Sequence, residues 1–142
     1  MYLRDTHLIG HYANQHPTLM LHIQRIEWDE VGLPTPAVAE VLRGRAEFAL
    51  KAAPEQVTWA HDQLWQTYVL IVRFKVLLLD EEAKKELKKL LRKFKSKKRY
   101  VDMMIAAMAL AGDHVVVTRN TKHFADLLPP DQLANWIDDS PR

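Results

Sequence analysis

The chain has 142 residues, 48% hydrophobic and 27% charged, an ordinary globular composition and enough length for one domain, residues 1–142, to bury a core. It has no cysteine, which excludes a disulfide framework and any thiolate nucleophile or metal site; no apolar run nears the roughly 20 residues of a membrane span, and "MYLRDTHLIG" lacks an export pattern, so a cytoplasmic protein without a membrane partner is expected. The net charge of +2 is unevenly distributed: Glu81 to Arg99 holds ten of the twenty Lys and Arg but three of the eighteen acids, which suggests an anionic partner.

Tyr2 and Leu3 read as a short strand leading into Asp5, followed by a helix from about His7 to Asn14. Pro17 can open a second helix to about Trp28, with Leu19, His22, Ile23 and Ile26 on one face. "VGLPTP" is a short extended piece in which two prolines argue against a fully paired central strand. Helices are expected from Pro36 to about Ala52 and from Pro54 to about Phe74, and then a buried strand "KVLLL". Asp80 caps a helix whose stripe of Ala83, Leu87, Leu90, Leu91 and Phe94 is apolar and whose other faces are lysine-rich. The pattern ends with a helix from about Tyr100 to Ala111, the strand "HVVVT", a short helix near His123–Leu128 and an exposed tail. Short β-rich runs alternating with helices imply an α/β domain: a mostly parallel sheet of four to five strands, flanked by helices on both faces.

Ligands of such sheets gather beyond the C-terminal ends of the strands. Asp5 ends the first strand, Glu40 lies one turn into the helix after "LPTP", and Asp102 opens the helix before "VVVT". Clustered carboxylates repel, and a shared divalent cation is the common remedy; hard oxygen donors suit Mg²⁺ or Mn²⁺. Each acid also has a plain explanation. Asp5 and Asp102 stand where helix caps are favoured, and Glu40 can be a surface helix residue.

Three segments carry a family resemblance: "MYLRDTHLIGHYAN", "AVAEVLRG" and "KSKKRYVDMMIAAMALAGDHVVVTRNTKHF", with "LANWID" near the end. In order and spacing they resemble the PIN-domain nucleases, specifically the VapC-type ribonuclease toxins of bacterial toxin–antitoxin pairs. The resemblance implies Asp5 and Asp102 as direct Mg²⁺ ligands and Glu40 as holder of a metal-bound water or second ion. It also implies Asn120 as an orienter of water or substrate, with the Thr6 and Thr118 hydroxyls at the rim. The activity it implies is cleavage of RNA phosphodiesters by a metal-activated water, leaving a 5′-phosphate and a 3′-hydroxyl. A homodimer neutralised by a cognate antitoxin would follow. Two departures stand out: His123 occupies the place of a frequent fourth acid, and Tyr100 and Val101 precede Asp102 where the family often has an acid or glycine.

Arg43, Lys97, Lys98, Arg99 and Arg119 lie near these segments and are the better candidates for RNA phosphates; Lys85 and Lys88 sit on a lysine-rich face that reads first as a solvated helix. His7 and His11 have the i, i+4 spacing of zinc ligands, but Leu8 stands where the metalloprotease pattern needs Glu. The rivals to a ribonuclease are a non-catalytic PIN-like module that binds RNA or protein, and a DNA-directed nuclease.

Overall fold

The computed structural model describes residues 1–5, 12, 14–95 and 99–141. Its five strands are β1 (Tyr2–Arg4), β2 (Val31–Pro34), β3 (Lys75–Leu77), β4 (Val115–Val117) and β5 (Leu133–Ala134). They form one sheet in the order β3-β2-β1-β4-β5, and every pairing is parallel. Among the described residues five helices are bounded beside it: α1 (Pro17–Ile23), α2 (Thr35–Lys51), α3 (Val57–Ile71), α4 (Glu81–Lys93) and α5 (Tyr100–Gly112). No helix among the described residues is long and apolar enough to cross a membrane.

The two-residue period of a strand sends alternate side chains to opposite faces. Leu3 and Val116 join the core against α4 and α5, built from Leu87, Leu90, Met103 and Ala106. Val117 joins Leu19, Trp136 and Ile137 on the other face, with Tyr2 packed alongside. Val31 and Leu33 meet Ile71 and Phe74 in a third cluster beneath α3. Helices therefore cover both faces, as the alternating pattern requires. Alanine at 106, 107 and 109 lets α5 be buried on more than one side, where larger residues would hold the layers apart. Asp80 accepts a 2.9 Å bond from the Ala83 amide and caps α4.

Several boundaries differ from expectation. The helix opened by Pro17 stops at Ile23, and Trp28–Glu30 is a separate 3₁₀ turn closed by a reciprocal Glu27–Glu30 capping box. β2 does pair on both sides, with Pro34 as its last residue, where a missing N–H interrupts little of the ladder. "KVLLL" is not a buried strand. It forms the sheet's β3 edge, which leaves Lys75 and Val76 exposed and Leu78 74% exposed. Only a 3₁₀ turn, Thr121–His123, forms where the short helix near His123–Leu128 was expected. The segment read as a tail adds β5 beside β4. The helix expected from His7 to Asn14 lies outside the described residues apart from Tyr12 and Asn14, and so do Thr6, Lys97 and Lys98.

Arg4 is the largest fully buried side chain. It shares a face with Tyr2, and its guanidinium lies 4.8 Å from the Tyr12 ring centre and 4.7 Å from that of Phe74. Trp28 stacks on Phe74 at 4.7 Å and closes the aromatic box. None of the guanidinium nitrogens has a hydrogen-bond partner among the described residues, and burial lowers the pKa of the group to about 10. Ring contacts offset only part of the cost of desolvating a charge. Arg4→Met, similar in length and uncharged, is expected to stabilise the fold by about 1–2 kcal/mol and raise Tm by several degrees. A fall in Tm on thermal melting would show that the aromatic box needs the cation.

Candidate active site at the C-terminal edge of the sheet

The chain leaves β1 at Asp5, β4 at Thr118 and β2 at the start of α2, so three crossovers open at the same sheet edge. There Asp5, Glu40, Asp102, Asn120 and His123 line one pocket, together with Val101, Ile105 and Phe124. Glu40 comes from the second turn of α2, and Asp102 lies in the first turn of α5, where the helix dipole favours an acid.

Asp5 is buried and accepts a 2.5 Å hydrogen bond from the Thr118 hydroxyl. The Thr118 oxygen in turn accepts the Asn120 amide at 3.0 Å. Thr118 itself is fully buried, and its amide donates to the Ala134 carbonyl at 2.9 Å. The chain Asn120–Thr118–Asp5 thus fixes one carboxylate relative to the loop after β4, with the Thr118 hydroxyl committed to that role rather than lying open at the rim.

Asp102 is the perturbed acid. Burial raises its pKa, the charges of His123 and Arg99 act the other way, and the negative charges of Asp5 and Glu40 raise it further. His123 Nδ1 stands 3.7 Å from an Asp102 oxygen, so the histidine in the fourth-acid position borders the carboxylates. Among the described residues no three His, Asp or Glu side chains are gathered tightly enough to cage a metal by themselves. The donor set still fits a hard cation, because Mg²⁺ commonly takes one or two carboxylates and fills its shell with water or substrate oxygens. A carboxylate such as Asp102, whose proton affinity neighbouring acids raise, is also one that a cation would stabilise.

The basic candidates separate. Arg99 donates to both Asp126 oxygens, at 2.8 and 2.7 Å, and to the His123 carbonyl. That fork holds Asp126 below the usual carboxylate range and pins the His123 loop to the start of α5. Arg119 pairs with Asp138 at 3.1 and 3.2 Å. Arg43 is exposed on α2 and outside the pocket lining. The lining residues Ile105 and Phe124 were not singled out from sequence. Ile105 follows Asp102 by three helical positions, a spacing that puts both on one face and could have identified it.

A family model described as PIN domain matches residues 2–127. No curated protein matches the sequence. Among solved structures, VapBC-1 from nontypeable Haemophilus influenzae aligns at 21% identity and TM-score 0.71, covering 95% of this chain and 97% of that one. DNA-bound VapBC from Salmonella typhimurium aligns at 24% and 0.70, with the same coverage of 95% and 97%. A toxin-antitoxin complex from Klebsiella pneumoniae aligns at 17% and 0.69, covering 96% and 98%. These likenesses are of fold.

Because the Asp102 carboxyl holds its proton more tightly in the folded chain than in the unfolded one, its ionised form costs stability. The cost is absent below the ordinary carboxylate range, grows as pH rises through the folded pKa, and is complete above it. Asp102→Asn should therefore raise the Tm of the metal-free protein at pH 7 by roughly 1–4 °C, with no gain below about pH 3.5. An equal gain at both pH values in calorimetry would assign the effect to something other than charge.

Proposed function

This chain belongs to the PIN domain family, and from that membership we propose that it is a metal-dependent endoribonuclease, the toxin of a type II toxin–antitoxin pair acting in the cytoplasm. The observation that carries the proposal is the single pocket shared by Asp5, Glu40, Asp102 and Asn120. Acids from three separate segments meet there without an arginine or lysine among the lining residues.

In this reading Asp5 and Asp102 hold Mg²⁺ or Mn²⁺, and Glu40 holds a bound water or a second ion. The cation, when bound, polarises a phosphoryl oxygen and makes a water acidic enough to act as a nucleophile. The protein's part is placement. Thr118 fixes the Asp5 carboxylate, Asn120 orients water or a phosphate oxygen, and the apolar side chains of Ile105 and Phe124 limit competing water. Hydrolysis then breaks the bond from phosphorus to the 3′-oxygen, leaving a 5′-phosphate and a 3′-hydroxyl. Arg99 and Arg119 support the pocket wall through Asp126 and Asp138 more directly than they offer charge to RNA.

A homodimer and a cognate antitoxin are part of the proposal. Trp65, Tyr68 and Val72 lie exposed at helical spacing on the outer side of α3 and at its end, and they are candidates for contact with protein rather than with RNA. A second reading, a non-catalytic module that binds RNA or protein, is favoured by His123 in the fourth-acid position and by the lack of a tight three-ligand cluster among the described residues.

Incubation of the purified protein with structured RNAs and Mg²⁺ or Mn²⁺ tests the choice. Cleavage is expected to stop with EDTA and to fall by about 100- to 1000-fold in Asp5→Asn and Asp102→Asn, a loss of about 3–4 kcal/mol of transition-state stabilisation. Metal-independent RNA retention without cleavage by any of the three proteins would select the binding module.

A further inference from the structure

The lysine-rich helix α4 is not uniformly solvated charge. Lys84, Lys85 and Lys89 each pair with a glutamate three residues back, at 3.5, 3.0 and 3.3 Å. Among the described residues Lys88, Arg92, Lys93 and Lys95 have no ion pair of that kind, and all four are exposed. Lys88 and Arg92 stand one turn apart on the same face, and Lys95 lies two residues past the end of the helix. The excess charge therefore accumulates toward the helix C-terminus.

That end of α4 adjoins the pocket. Lys93 Nζ lies 5.3 Å from the centre of the Phe94 ring, and the Arg99 guanidinium lies 5.9 Å from the same ring. Arg99 in turn binds the carbonyl of His123, whose side chain lines the pocket. Lys93 is also close enough to Asp126 to help lower its carboxyl. Phe94 and Arg99 thus connect the cation-bearing end of α4 to the pocket wall at His123.

We propose that the C-terminal half of α4, through Lys88, Arg92, Lys93 and Lys95, is an exosite for the sugar–phosphate backbone of RNA lying beside the scissile bond. The exosite rests on the ribonuclease reading for its choice of polyanion. Charge complementarity favours a phosphate backbone: the cations are grouped toward one end of the helix without the glutamate partners of the other lysines, and their long side chains adapt to a strand without reading its bases. The substrate would thus be gripped at a distance from the acids, which by themselves repel phosphate, and strand length rather than local sequence would set this part of the affinity.

The test is fluorescence anisotropy of a labelled 20-nucleotide single-stranded RNA on full-length protein carrying Asp102→Asn, titrated at several salt concentrations. Adding Lys88→Gln, Arg92→Gln, Lys93→Gln and Lys95→Gln together should raise Kd at low salt by about 10-fold or more. The log–log salt slope should drop by about 0.7 for each phosphate contact removed, roughly 3 in all. The single change Arg92→Gln should lower the slope by roughly 0.7 and guards against a misfolded quadruple variant. Lys84→Gln with Lys85→Gln and Lys89→Gln, at the three glutamate-paired positions, should leave Kd within about twofold. Equal losses from the two sets would reduce the effect to net charge and overturn the exosite. So would an unchanged slope, or lost binding of a polyglutamate peptide with RNA affinity intact. Absence of RNA cleavage by the unsubstituted protein would sink the nuclease reading while leaving this binding comparison able to succeed or fail independently.

Discussion

Burying a carboxylate is unfavourable by several kcal/mol unless donors surround it, and Asp5 is buried at the end of the sheet's middle strand. The bond from the Thr118 hydroxyl meets that requirement across the β1–β4 pair, in which Leu3 is in register with Val116 and Arg4 with Val117. Sheet register and carboxylate position are therefore set together: a slip of one residue would turn Leu3 out of its core and carry Asp5 away from Thr118. Glu40 and Asp102 are added to this fixed point by helices that begin at the same edge.

Concentrating negative charge there has an electrostatic cost, visible in the raised proton affinity of Asp102. The fold answers it with cations in the surroundings rather than within the cluster. Arg99 ties the start of α5 to the loop carrying His123, and Arg119 ties the loop after β4 to Asp138, which Asn135 also holds. Both arginines are forks bound to carboxylates in bidentate fashion, the geometry in which guanidinium gives directional support as well as charge. The walls are braced while no arginine or lysine lines the pocket, a suitable state for the proposed divalent ion. The unneutralised cations of α4 sit farther out, where they can attract phosphate without cancelling the acids.

Much of this was legible in the sequence. Asp5 and Asp102 stand at or beside element ends and Glu40 one turn into its helix, and a parallel sheet brings such places to one edge; order left plain readings open for each acid, and the family resemblance joined them into one site. The short Val-rich strand and the apolar stripe of α4 were equally clear, since each displays one period without interruption. The pairing of Arg99 with Asp126, 27 residues away, was not legible, because ion-pair choice depends on loop geometry that local pattern does not encode. β5 has two residues, too few to show a period. Arg4 gave no sign of its burial. A charged residue in a strand is read as facing water, and its box is assembled from Tyr12, Trp28 and Phe74, which are distant in sequence.

β3 ends the sheet with one side unpaired, and beside its open backbone groups stand Val76 and the largely exposed Leu78. Such an edge is a template for any other extended segment, including the same strand of another molecule. Lys75 is the only charge within the strand to discourage such pairing. At three residues, and with Lys75 exposed on it, this border is blunted in two of the ways natural sheets use, so an added strand would find only a short ladder and a charge to desolvate.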